Sequence, residues 1–167
     1  VLSENPPNIG VNLVFFDGED QEVPGVNETY CQGSRFFAKN LPIPRPDEAI
    51  NLDMVGDKQL VLPIERYSLE YHPQLVRHLW DRAKEMGLDA FIGRVDYAIY
   101  DDHIPLNEIA GIPSIDLIDF KYPNSYANFW HTLNDIPENC SEESLGQVGD
   151  LMVDYIYNRE EQNRSEN

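Results

Sequence analysis

The sequence predicts an α/β domain, and three observations carry that prediction. Short β-branched and aromatic runs alternate along the chain with stretches of helical period. Acidic residues gather where the apolar runs stop, which is where open α/β sheets collect ligands. The length of 167 residues, with 41% hydrophobic and 11% aromatic residues, is one packed core's worth and not two.

Taken in order, Gly10 to Phe16 (GVNLVFF) reads as a buried strand that stops at the acidic cluster Asp17-Gly18-Glu19-Asp20. Residues 21–31 are loop-like, and Gly33 to Asn40 is a short helix candidate ended by the proline-rich stretch up to Pro46. Ala49 to Val55 is a second strand that turns at Gly56, with Asp53 near its end. Gln59 to Glu65 is a third, with Pro63 pushing it toward an edge.

Residues 73–86 give the clearest helix, because Leu75, Val76, Leu79, Trp80, Ala83 and Met86 share one face. Pro73 suits its first turn and Gly87 its stop. A strand near residues 90–92 follows, then the string Asp101-Asp102-His103-Ile104-Pro105, then an apolar strand over residues 112–118. Residues 119–140 are irregular and aromatic. A last helix starts at Ser141 and buries Leu145, Val148, Leu151, Met152, Tyr155 and Ile156. Residues 158–167 read as a polar, frayed tail after the domain at 1–157.

Charge narrows the partners. Lys plus Arg number 12 and Asp plus Glu 30, a net charge of −18 that repels nucleic acid and anionic lipid. No apolar run reaches the ~20 residues of a membrane helix, so membrane insertion is not expected. Two cysteines, Cys31 and Cys140, rule out a disulfide scaffold and a Cys-rich zinc module, and they read as two separate thiols.

Several residues could carry chemistry. In Glu19-Asp20, one carboxylate could bind a cation while the other faces a reacting group, although a solvated acidic turn has the same composition. Asp53 is a charge in an apolar strand, either a site residue or a strand-end Asp bonding turn amides. Asp102 could share a proton with Glu19, orient an imidazole, or cap a helix. His131, beside Trp130 in an aromatic loop, is a candidate zinc ligand or a packed surface histidine.

The strings FFDGED, GSRFFAKN, NLDMVGD, DDHIP, AGIPSIDLID and WHTLNDIPEN follow one another along the chain. As an ordered set they resemble the zinc exopeptidases of peptidase family M28 and their relatives, the glutaminyl-peptide cyclotransferases. The resemblance covers roughly residues 10 to 157. It implies a three-layer α/β/α sandwich around a mixed, mostly parallel sheet. It implies Glu19 as general acid/base, Asp20 and His131 as zinc ligands, and Trp130 as a wall of the substrate pocket. Asp53 matches either a ligand of a second zinc, as in the aminopeptidases, or a hydrogen-bonded acid, as in the cyclases. Asp102 matches an active-site acid of the cyclases.

The resemblance also implies that further zinc ligands lie upstream of the segment at 11–16. The chain therefore reads as the C-terminal portion of a zinc-exopeptidase-like catalytic domain whose N-terminal part is missing, and by itself it is expected to be inactive. The substrate implied is a peptide or protein N-terminus. Two reactions fit: cyclisation of an N-terminal Gln with one zinc, or hydrolysis of the first peptide bond with two. A non-catalytic ectodomain of the same fold is the third reading. The sequons at Asn27, Asn139 and Asn163 are compatible with an extracytoplasmic location, periplasmic or secreted.

Overall fold

A computed structural model describes residues 1–165, apart from 22, 24, 25, 27, 28 and 43. In chain order it contains helix α1 (Gln32–Lys39), strands β1 (Ala49–Asp53) and β2 (Leu62–Ile64), helices α2 (Arg66–Tyr71) and α3 (Pro73–Met86), strand β3 (Phe91–Val95), helix α4 (His103–Glu108), strand β4 (Ser114–Ile118), the small strands β5 (Pro123–Asn124) and β6 (Ala127–Asn128), and helix α5 (Glu142–Ser165). β1 and β4 pair in parallel from Ala49↔Ser114 to Asp53↔Ile118. β2 and β3 also pair in parallel, with a register shift at Pro63/Ile64 where the proline cannot donate to the ladder. β5 and β6 form a small antiparallel hairpin inside the segment expected to be irregular.

Side-chain alternation along β1 and β4 decides what each face meets. Ile50, Ile115 and Leu117 face the main core, where Leu75, Val76, Leu79, Trp80 and Ala83 of α3 join Val148, Leu151 and Tyr155 of α5. On the other side α1 and α4 contribute Ala38 and Leu106 to a smaller cluster with Ile112, against which Phe16, Phe37 and Ala49 pack. The polar residues Asn51, Asp53 and Asp116 alternate with the apolar ones and so lie on the α4 side. Helices thus flank the sheet on both sides, the sandwich implied by the resemblance.

α3 begins at Pro73 and ends at Gly87, which takes a left-handed φ of 74° that spares the chain a Cβ penalty. Arg82 of α3 is tied to Asp154 of α5 by two hydrogen bonds, at 2.8 and 2.7 Å. Among the described residues no helix is long and apolar enough to cross a membrane.

Three expectations change. The segment at 10–16 is not in a regular strand, and Leu13 and Phe15 are 78% and 93% exposed. A run with β composition becomes a strand only when another strand satisfies its backbone, and among the described residues this one has no ladder partner. Residues 158–165 continue α5 as helix rather than fraying at Tyr157. The short α2 was not expected; it forms because Glu65 accepts the N–H groups of Tyr67 and Ser68 at 2.9 and 2.6 Å, a role usually taken by shorter side chains.

Candidate active site

The site is built on the turn after Phe16. Gly18 supplies a positive φ of 61°, which reverses the chain so that Asp17, Glu19 and Asp20 leave in different directions. Three backbone bonds then fasten the turn to the start of α1: Cys31 N–H to the Glu19 carbonyl at 3.0 Å, Gln32 to Gly18 at 3.2 Å, and Gly33 to Asp17 at 2.9 Å. Gly33 is required there, because a Cβ would lie 2.5 Å from the Asp17 carbonyl oxygen.

Asp53, at the carboxyl end of β1, and Asp101, just before α4, meet Glu19 from the other side. Asp101 lies against Asp53, and its carboxyl, acting as donor to Asp53, lowers the latter against the rise caused by burial. Oxygens of Glu19 and Asp101 and the sulfur of Cys31 all lie within 4.8 Å of one another. Burial, followed by the charges of Asp101, Asp20, Asp53 and Asp102, raises Glu19 to about 8. Burial likewise raises Asp101 to about 7 and Asp53 to about 6, each helped by other acids of the cluster. Near neutral pH such a cluster shares protons among its carboxyls.

Asp20 points outward. Its Oδ1 lies 3.0 Å from Nε2 of His131, and both side chains are about half exposed. No Lys or Arg forms an ion pair with either among the described residues. A facing imidazole nitrogen and carboxylate oxygen are donor types that zinc takes, so this pair fits as two ligands of a zinc site. The Trp130 ring stacks on His131 with centroids 3.9 Å apart and also packs against Phe120. Glu19 and Asp53 both lie near enough to Asp20 for its charge to raise them.

Asp102 is placed differently. Its Oδ1 accepts the Ser34 hydroxyl at 2.6 Å, and the Cys31 thiol also bonds it. It neither caps α4 with its side chain nor meets Glu19 as closely as Asp101 does. Burial and the neighbouring Asp102, Asp101 and Glu19 push the Cys31 thiol up, so it stays a protonated donor and not a nucleophile. Both cysteines are free thiols.

Sequence reasoning missed Asp101 and Cys31. The double Asp of DDHIP was the signal for the first, but two adjacent carboxyls in a loop cannot be assigned directions from sequence. Nothing flagged Cys31. Backbone strain does mark the site: among the described residues the non-glycine positions with positive φ are Cys31, Met54 and His131, each in or next to it.

Comparison with known proteins follows the same lines. Residues 1–156 match the sequence profile of Peptidase family M28. A glutaminyl-peptide cyclotransferase of Boiga dendrophila is 24% identical over 178 residues, covering 92% of this chain and 47% of the relative. Among solved structures, a Bacteroides thetaiotaomicron glutaminyl cyclase bound to N-acetylhistamine superposes with a TM-score of 0.88 at 30% identity, covering 94% of this chain and 57% of that one. A Zn-dependent exopeptidase from Parabacteroides distasonis gives 0.87 at 34% identity, with coverages of 94% and 57%. The chain therefore spans about half the length of the relatives it matches.

Proposed function

Since the chain belongs to peptidase family M28, we propose that its complete gene product is a zinc-dependent enzyme acting on the N-terminal residue of peptides, and specifically a glutaminyl-peptide cyclotransferase. The observation that carries the cyclase reading is the seat of Asp53 in the carboxyl cluster, against Asp101, whose proton lowers it. It engages Asp53 with another acid's proton, the arrangement of a hydrogen-bonded active-site acid, whereas a ligand of a second zinc needs its oxygens for the metal. The names of the relatives support the same side.

In this reading Asp20 and His131 hold one zinc ion, which would lend Lewis acidity toward the side-chain carboxamide oxygen of an N-terminal Gln. Glu19 takes a proton from the attacking α-amine and delivers it to the departing ammonia; the new C–N bond closes the pyroglutamyl ring as the old one breaks. Its carboxyl, raised to about 8, is matched to both transfers near neutral pH. Asp101 and Asp53 hold the remaining proton of the cluster and keep Glu19 raised. Trp130 walls the pocket on the imidazole side, and the acidic surroundings favour a positively charged N-terminus. An extracytoplasmic location, which the sequons allow, belongs to the same proposal.

The alternative, an aminopeptidase with Asp53 on a second zinc and Glu19 deprotonating a water, is favoured by the closeness of Asp53 to Asp20's charge. Turnover of Gln-peptides and Leu-peptides by the complete gene product, with zinc counted per chain, separates the two. The cyclase reading expects ammonia release from Gln-peptides and one zinc; hydrolysis of Leu-peptides with two zinc ions refutes it.

A further inference from the structure

Beneath the acidic site lies a fully buried group that the proposed reaction does not use. Glu65, His103 and Asp116 are each 0% exposed. His103 Nε2 lies 3.4 Å from Oε2 of Glu65, and Nδ1 lies 3.9 Å from Oδ2 of Asp116. Neither ring nitrogen nor that Asp116 oxygen completes a hydrogen bond among the described residues, so these two carboxyls are the polar groups that face the ring. An imidazole sealed from water with a carboxyl at each nitrogen is costly unless the contacts are used.

The neighbours fix what each contact must be. Glu65 already accepts Tyr67 N–H, Ser68 N–H, the Ser68 hydroxyl and Ile99 N–H. Burial opposes ionisation, but these donors and His103 outweigh it and hold Glu65 below its ordinary range, so it faces Nε2 as a carboxylate. Asp116 is pushed well up by burial and by Asp101, Asp53 and Glu65, so its carboxyl stands against Nδ1 as a neutral acid rather than a carboxylate. Its other oxygen accepts Asn51 of β1 at 3.1 Å. His103 is thereby tied to α2, β4 and, through Asn51, β1.

His103 is also the third of three consecutive side chains that leave one turn in three directions. Asp101 goes to Glu19 and Asp53. Asp102 goes to Ser34 and Cys31 at the start of α1. α4 begins without a side-chain cap because that carboxylate is used elsewhere. We propose that His103 is a positioning residue: clamped between Glu65 and Asp116, it locks the Asp101–Asp102–His103 turn as a tripod that aims Asp101 at Glu19 and Asp53. The catalytic consequence rests on the reading of Glu19 given above; the tripod itself does not.

The test uses the complete gene product in a Cys140→Ser background, so that the buried Cys31 beside Asp102 reports on the turn by its rate of alkylation. His103→Gln removes one side of the clamp and is expected to raise that rate about tenfold below the melting transition, as for local opening of one segment. Leu151→Val, in the main core on the opposite face, is compared at the same interval below its own midpoint and is expected to leave Cys31 protected. Should His103→Gln fail to fold, Asp116→Leu, which keeps the shape but offers Nδ1 no polar partner, decides by the same readout. Wild-type protection in the folded clamp variant, or equal unmasking by Leu151→Val, overturns the proposal. In turnover, the clamp variant is expected to lose about tenfold in kcat with KM nearly unchanged, because a misdirected acid affects the chemical step and not binding. A wild type that turns over neither Gln-peptides nor Leu-peptides removes the functional reading, and the thiol result still decides the tripod.

Discussion

Replacing Gly33 by alanine tests how the acidic turn is held. The added Cβ would sit 2.5 Å from the carbonyl oxygen, 2.7 Å from the nitrogen and 2.8 Å from Oδ1 of Asp17. Two of these are backbone atoms, which no rotamer change can move away. The turn must retreat by about half an ångström to clear the 3.0 Å below which such contacts are not found, and the 2.9 Å bond from Gly33 N–H to Asp17 lengthens with it. Overpacking of this kind costs about 1–3 kcal/mol. The weakened hydrogen bond adds about 1 kcal/mol. Alanine returns about 1 kcal/mol as the better helix former. The net loss is about 1–3 kcal/mol, a fall in melting temperature of roughly 2–10 °C. Turnover of the complete gene product should fall further than stability accounts for, by about tenfold, because Glu19 and Asp20 ride on the displaced turn. Gly146→Ala, in α5 with nothing within 4 Å of the new Cβ, is the control and is expected to be neutral or slightly stabilising. Thermal unfolding and turnover of both variants check this. A Gly33→Ala protein as stable and as active as wild type would refute the close approach.

Other expectations follow from burial. Asp119 is raised by burial from its ordinary 3.8 to about 6, although Val61 N–H bonds it. The folded chain therefore keeps a proton between those values that the unfolded chain has released. The stability this carboxyl contributes falls as pH rises from about 4 to about 6, by at most about 3 kcal/mol. Asp119→Asn should flatten that part of the stability-versus-pH curve, read by urea unfolding; an unchanged slope contradicts it. Leu79→Ala empties a fully buried core position and is expected to cost about 2–5 kcal/mol in the same assay, with a loss under about 1 kcal/mol contradicting it. Leu133→Ala, at an almost fully exposed position, should stay within about 0.5 kcal/mol of wild type, and a larger loss would show that this loop is packed.

Much of this architecture was legible because local rules and packing agree there. The stripe of Leu75, Val76, Leu79, Trp80 and Ala83 is helical in sequence and buried in the structure. The run at 112–118 is a strand buried at every position of Ser114–Ile118, the polar Ser114 and Asp116 included. The segment at 11–16 shows the opposite case. Its composition is that of a strand, but strand formation is settled by a partner and no local pattern records whether one is there. Likewise Asp102 is a favoured cap by type, yet its carboxylate goes to Ser34, 68 positions away in sequence.

The site divides in the same manner. Residue type and the ordered resemblance mark Glu19, Asp20, Asp53, Trp130 and His131; the fold joins Asp20 to His131 and Trp130, and sets Glu19 among buried acids that include Asp53. Which of two adjacent aspartates faces Glu19 depends on how the turn before α4 is anchored, and that anchor is His103 between Glu65 and Asp116. Glu65 ends an apolar run and Asp116 interrupts another, and nothing in either stretch shows that they meet.

The most direct test is the activity of Glu19→Gln in the complete gene product, measured together with its zinc content. If Glu19 moves the proton, the variant keeps its zinc and loses about a thousandfold or more in turnover of Gln-peptides. A zinc-loaded variant that works within tenfold of wild type would contradict the role given to Glu19 and to the carboxylates gathered around it.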